Sequence, residues 1–242
     1  MALVLDADDL AAEPGLGGLG LDLEELAAFE QALAGGRGVF VLAAPTRGER
    51  VGAYRAVLAR AVRLGGSVLS LEAPLLRPLD GAVQVEGPTS SAEAVALAQP
   101  RPDWLGLCGP LERIALRLAV DTALEGGAVV LAVPAPSAAT ALGRLEFAGL
   151  PRTLLDALVR AVVVRREVPR LCPHCRVAHE GGWLGIGCAA CGEQGTRGCL
   201  PLASLTGPAL AEVSPPRPAL TARVRSLAQR GEVSWDSVAD FC

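Results

Sequence analysis

Four cysteines at fixed spacing carry the clearest chemistry in this 242-residue chain: Cys172 and Cys175, then Cys188 and Cys191, in the pattern C-x2-C-x12-C-x2-C. Each pair makes a tight turn that offers two sulfurs to one ion, so the four suit a tetrahedral zinc. With all four positions filled by thiolates no coordination site stays open, and such a zinc staples a fold without catalysing. Reduced, unbound thiols or two disulfides are the alternatives that the spacing leaves open. His174 lies inside the first pair and His179 just after it, and both read as exposed or supporting groups, not ligands. Cys108 sits in an apolar run and reads as a core residue; Cys199 and Cys242 read as free thiols.

Composition narrows what else the chain can do. All 22 basic residues are arginine, so chemistry that needs an ammonium group is excluded. The net charge is -4 and aromatics make up 3% of the chain, which leaves few groups to neutralise phosphates or stack on bases. Nucleic acid is therefore not an expected partner, although a zinc ribbon that binds nucleic acid is a reading to be weighed. The cluster Arg165, Arg166 and Arg170 reads as a solvated face or a subunit contact. No apolar run approaches the roughly 20 residues of a membrane span. The first residues are acidic where a secretory signal would be basic. The expectation is a cytoplasmic protein without a transmembrane segment.

The elements that must position these groups alternate. Asp22 with Glu25 gives a capping-box start to a helix that carries Leu26, Phe29 and Leu33 and ends at Gly35-Gly36. A buried strand over 39–43 follows, then a loop over 44–49 and a helix with Val51, Tyr54, Leu58 and Val62 on one face. Strands over 67–71, 83–86, 103–107 and 128–133 alternate with helices from Ser90, over 110–125 and over 137–148. This order calls for an α/β fold, a mostly parallel twisted sheet covered by helices on both faces. The domains expected are a flexible lead-in at 1–20, the α/β domain at 21–170, a zinc-binding module at 171–198 and a C-terminal helical segment at 199–242. Pro215, Pro216 and Pro218 mark a linker within the last.

Several segments in order resemble the C-terminal RecA-like domain of the type II secretion and type IV pilus assembly ATPases, a P-loop NTPase fold. Leu21-Asp22-Leu23 and Val39-Phe40-Val41-Leu42 are similar to that family's approach to its phosphate loop. Leu71-Glu72-Ala73-Pro74 with the strand from Gly81 to Val85 resembles its Asp box, and Pro102-Asp103 the opening of its Walker B strand. Ala123-Leu124-Glu125-Gly126-Gly127 resembles the turn before its His-bearing strand. Arg170-Leu171-Cys172-Pro173-His174-Cys175 and Gly195-Thr196-Arg197-Gly198 resemble the entry and exit of its zinc knuckle. The likeness covers about residues 21 to 210.

The resemblance also locates what is missing. A phosphate loop G-x-x-x-x-G-K-[ST] needs glycines for close backbone approach, a lysine for the outer phosphates and a hydroxyl for magnesium. The corresponding stretch is Ala44-Pro45-Thr46-Arg47-Gly48-Glu49-Arg50-Val51. Pro45 and Thr46 match the family. Ala44, Arg47 and Glu49 replace glycines, Arg50 stands at the lysine position, and Val51 brings no oxygen. Gly109 falls at the Walker B glutamate, Ala73 at the Asp-box aspartate and Pro134 at the histidine. The resemblance thus implies a degenerate, catalytically inactive homologue with no catalytic residue, holding structural zinc but not magnesium-ATP. Its role would be a structural or regulatory component of a type II secretion or type IV pilus machine. Protein partners in that machine are implied, an active paralogous ATPase and further copies of this chain among them. The alternative is a weak ATPase that uses Arg50. Without the surrounding order, residues 44–51 would read as an ordinary strand-helix connection.

Overall fold

A computed structural model describes residues 15–87, 101–179, 182–208 and 220–239. Seven strands form the central sheet: β1 (Gly38–Ala44), β2 (Val68–Glu72), β3 (Ala82–Glu86), β4 (Trp104–Cys108), β5 (Ala128–Pro134), β6 (Val159–Leu171) and β9 (Thr196–Thr206). Their order is β3-β2-β4-β5-β1-β6-β9. Every neighbouring pair from β3 to β6 is parallel, and β9 closes the edge antiparallel to β6. β1, β2 and β4 are buried along their whole length, the expected state of parallel strands covered on both sides.

Helices α1 (Leu23–Ala34) and α2 (Arg47–Arg63) cover one face of the sheet. Helices α3 (Arg113–Leu124), α4 (Ala138–Phe147) and α5 (Arg152–Leu158) cover the other. Phe29, Phe40, Tyr54 and Trp104 fill the first side, where Phe40 stacks on Trp104 with ring centroids 5.9 Å apart. The second side is aliphatic, with Leu105, Leu107, Leu116, Leu131 and Leu145 fully buried. The capping box at α1 is formed: Asp22 Oδ1 accepts the Glu25 amide at 2.8 Å, and Glu25 Oε2 accepts the Asp22 amide at 3.0 Å.

The structure departs from the sequence expectations at both ends. Gly15 and the 3-10 turn Leu16–Leu19 belong to the folded body, because Leu16 and Leu19 bury themselves on the α2 side and Gly20 O accepts the Ala203 amide at 2.9 Å. Residues 1–14 lie outside the described part. The helical segment expected from residue 199 begins instead inside strand β9, which is eleven residues long and pairs with β6 from Val162 to Leu171. Helix α6 (Leu220–Gln229) follows as expected and the four-residue turn of helix α7 (Asp236–Ala239) was not foreseen. The helix expected from Ser90, the linker prolines and Cys242 fall outside the described residues.

Between β6 and β9 the chain makes a small hairpin, β7 (Arg176–His179) with β8 (Gly182–Gly185), beside the paired cysteines. It is clamped to the C-terminal helices. Leu171 N donates to Glu232 O at 2.8 Å, and Arg176 NH1 to Gly231 O at 2.7 Å.

Candidate functional site

In an open parallel sheet, ligands settle at the carboxyl ends of the strands. Here that edge is built by Ala44 of β1, Glu72 and Ala73 after β2, Cys108 and Gly109 after β4, and Pro134 of β5. Ala44 lies in register with Pro134 and Glu72 with Cys108, while Ala73 N donates to Cys108 O at 2.9 Å. The sequence-singled positions are thus brought together, but they present two methyl groups, a glycine and a proline. The carboxylate at this edge, Glu72, is fully buried and committed. Its oxygens accept from Ser70 Oγ at 2.5 Å, Leu76 N at 2.7 Å and Gln84 Nε2 at 3.1 Å.

The stretch 44–51 takes a form that differs from a phosphate cradle. Strand β1 runs to Ala44 and α2 begins at Arg47, so Pro45 and Thr46 alone connect them. Arg47, Gly48 and Glu49 are already helical. The cause is local: Thr46 with Glu49 three residues later is a capping box, and it starts the helix early. Glu49 Oε2 accepts the Thr46 hydroxyl at 2.6 Å and the Thr46 amide at 3.1 Å, and Thr46 Oγ1 accepts the Glu49 amide at 3.3 Å. Against a phosphate loop, Glu49 stands only as a replaced glycine; the T-x-x-E signature that gives its actual role is present in the chain.

Glu49 is buried, and its other carboxylate oxygen accepts the amide of Glu167 on β6 at 2.6 Å. Arg165 completes the joint, donating to Glu49 O at 3.1 Å and pairing with the Glu167 carboxylate at 2.7 Å. This corrects the solvated reading of the arginine cluster for Arg165, which is buried, while Arg170 is exposed. A helix N-terminus favours a negative charge; at α2 the chain supplies it from its own side chain. Arg50 turns back on the strand end, donating to Ala44 O at 3.3 Å and Thr46 O at 3.2 Å. Burial lowers its pKa from the usual guanidinium value, and Arg47 and Arg144 nearby act in the same direction.

The four cysteines converge, with all four sulfurs within 4.8 Å of one another. Cys172 and Cys188 are 3.9 Å apart, Cys175 and Cys191 3.8 Å, and Cys188 and Cys191 3.8 Å. A tetrahedron with zinc-sulfur bonds of about 2.3 Å has edges of roughly 3.8 Å, so the set fits such an ion. The spacing is far from the ~2.05 Å of a disulfide. The amides of Cys188 and Gly195 donate to Cys191 Sγ at 3.3 and 3.2 Å, an arrangement that favours thiolate. Together these residues could hold a metal such as zinc. His174 and His179 are exposed and stand outside the cluster, as expected; Cys108 is buried and Cys199 exposed.

Among known proteins, residues 8–213 match the family model described as type II/IV secretion system protein. The chain is 30% identical over 185 residues to the type II secretion system protein HxcR of Pseudomonas aeruginosa, covering 74% of this chain and 39% of that protein. It is 23% identical over 222 residues to the type IV pilus assembly ATPase PilB of Thermus thermophilus, covering 82% of this chain and 25% of that protein. The chain therefore spans well under half the length of these curated relatives. In fold it is similar to the Legionella pneumophila ATPase DotB, with a TM-score of 0.66 at 14% identity over 94% of this chain and 65% of that one. The pilus retraction motor PilT with bound ADP gives the same TM-score at 12% identity, over 96% of this chain and 68% of that one.

Proposed function

This chain belongs to the type II/IV secretion system protein family, and we propose that within it the chain acts as a nucleotide-silent component, working by protein contacts in a type II secretion or type IV pilus machine. The observation that carries the reading is Glu49. Its carboxylate occupies the start of α2, the position where a phosphate-binding member of such a fold receives its anion, and it is tied to Thr46 and to Glu167.

Phosphoryl transfer depends on positioned metal and cation with an oriented water. Magnesium finds no hydroxyl at Val51, and Gly109 and Ala73 provide no carboxylate to organise water. Arg50 keeps a positive charge at the edge but spends donors on Ala44 and Thr46. What remains is the scaffold, with cysteines 172, 175, 188 and 191 holding a structural zinc that fixes the β7–β8 hairpin. The natural partners are other proteins of the machine, an active ATPase relative among them, at the cytoplasmic side of the inner membrane.

Calorimetric titration of the zinc-loaded protein with ATP, with and without magnesium, tests this. No magnesium-dependent heat is expected. Micromolar binding that requires magnesium, or phosphate release above a heat-denatured control, overturns the proposal.

A further inference from the structure

Helix α3 begins with charge where its own field opposes it. Arg113 is its first residue and Arg117 stands one turn on, beside the partial positive charge that a helix N-terminus carries. No acidic residue lies in that first turn, the cap residue Glu112 makes no side-chain capping bond, and neither arginine has an ion pair among the described residues. Arg113 is held in place all the same: a Cβ at Gly149, in the turn between α4 and α5, would sit 3.4 Å from its Nε and 3.7 Å from its Cγ. Farther along the helix Asp121 stands 3.8 Å from Arg101, which also pairs with Glu125, so the acidic end of α3 is neutralised and its basic end is not.

Between these arginines and the α4–α5 turn lies a groove of about 490 Å3, floored by Leu116, Val120, Leu150 and Leu154. Ile114 on its wall is 54% exposed, and Phe147, next to the lining residue Ala148, is 96% exposed. Apolar surface of this kind, gathered beside charge, marks a contact site. The lining residues all belong to α3, to α5 and to the turn before it, so no strand edge is there to pair with an extended peptide. Arg113, Arg117 and Val120 instead recur at intervals of about one turn, the spacing that a second helix laid along α3 meets turn by turn.

We infer that this groove receives an acidic amphipathic helix of a different protein, its apolar side chains on Leu116, Val120, Leu150 and Leu154 and its carboxylates on Arg113 and Arg117. The charges choose the occupant. A chain of net charge -4 repels an acidic partner in general, so such a partner binds where its carboxylates meet these two arginines, and opposite-sign pairs across an interface fix register and reject wrong contacts. The same carboxylates supply the negative charge that the first turn of α3 lacks. The inference takes from the proposed function only that the chain works by protein contacts. Magnesium-ATP binding would overturn nucleotide silence and leave the groove as it is, while a groove that takes no acidic helix leaves nucleotide silence untouched.

Fluorescence anisotropy of the zinc-loaded chain with a labelled helical peptide of about 18 residues reads the contact, the peptide carrying leucine on one face at each turn and glutamate beside it. The wild type is expected to bind it with a Kd of roughly 10–100 µM, and to bind a peptide with lysine in place of glutamate about tenfold more weakly or worse. Arg113→Glu/Arg117→Glu loses about tenfold or more for the glutamate peptide and comes to prefer the lysine peptide, a reversal that a misfolded chain would not show. Ile114→Ser weakens binding with no change of charge. Arg37→Glu/Arg63→Glu, which makes the same change of net charge at exposed arginines outside the groove, binds as the wild type does. Absence of saturable binding by the wild type up to about 1 mM peptide, equal affinity for the lysine peptide, or an Arg113→Glu/Arg117→Glu variant that binds as the wild type does overturns the proposal.

Discussion

The Glu49 carboxylate receives the backbone amide of Glu167 at 2.6 Å across 118 residues of sequence. It thereby joins the first strand-helix connection to the long strand that leads to the paired cysteines. A phosphate at the start of α2 would have to displace this carboxylate and would leave the Glu167 amide without its partner.

Replacing Glu49 by alanine removes a helix cap worth about 1 kcal/mol. It also orphans the Glu167 amide, which costs about 1–3 kcal/mol where water cannot reach it. Urea unfolding should therefore show a loss of about 2–4 kcal/mol, and the variant should still fail to bind magnesium-ATP because Val51 and Gly109 are unchanged. A loss under about 0.5 kcal/mol would mean that the joint is not structural.

The helix-strand order was legible because its signals are local. Asp22 with Glu25, the apolar run of β1 and the glycines after α1 each act within a few residues of their own position. Strand β9 was not legible: Gly198 and Pro201 interrupt its pattern, and proline is tolerated there because β9 is an edge strand. The second half of β6 alternates buried Val168 and Leu171 with exposed Glu167 and Arg170, which reads in sequence as a change of composition. At the strand ends, residue types showed which groups are absent. That Glu49 reaches Glu167 depends on a contact 118 residues away, and that Arg50 folds back on Ala44 and Thr46 depends on the early helix start, which residue types at the strand end do not show.

Gly106 on β4 faces Tyr54: a Cβ there would sit 2.2 Å from the Tyr54 hydroxyl oxygen. That hydroxyl is buried and hydrogen-bonded to Ser70 Oγ at 2.6 Å, so it has no room to retreat. Gly106→Ala should destabilise by about 3 kcal/mol, at the upper end of overpacking costs. Tyr54→Phe removes the nearest atom and leaves the ring carbon Cζ at 2.9 Å, so the clash is eased in part and the double variant should lose less than the sum of the two single losses in the same unfolding assay. Simple additivity would show that the clash is relieved elsewhere.

Burial, followed by the nearby Glu72 carboxylate, pushes the Cys108 thiol up from 9.0 to about 11. A raised folded-state value penalises only the thiolate, so its contribution to stability is full below the unfolded-state pKa and is lost as pH rises toward 11. Stability measured from pH 8 to pH 11 should fall less steeply in Cys108→Ala than in the wild type, whatever the offset at neutral pH. Native Cys108 should also resist iodoacetamide at pH 8 and react once the chain is unfolded. Rapid native alkylation at this position, read by peptide mass, would contradict the assignment.

Metal removal should be felt first in the hairpin and the C-terminal helices. Arg176 lies 5.4 Å above the Trp183 ring, that ring packs on Gly231, and Trp235 packs on Gly182, so both indoles report the clamp between the hairpin and the α6–α7 turn. Trp104 is buried in the sheet core and supplies a background that should not change. The expected content is one zinc per chain, lost in Cys188→Ser/Cys191→Ser. Chelation under reducing conditions should shift the tryptophan emission to the red and lower the melting temperature. Most far-UV circular dichroism should persist, because the sheet from β3 to β6 does not pass through the cysteines. Trp183→Phe should remove much of the fluorescence change without altering zinc content. If the chelated protein keeps its emission and its melting temperature, the four sulfurs do not fasten this end of the fold.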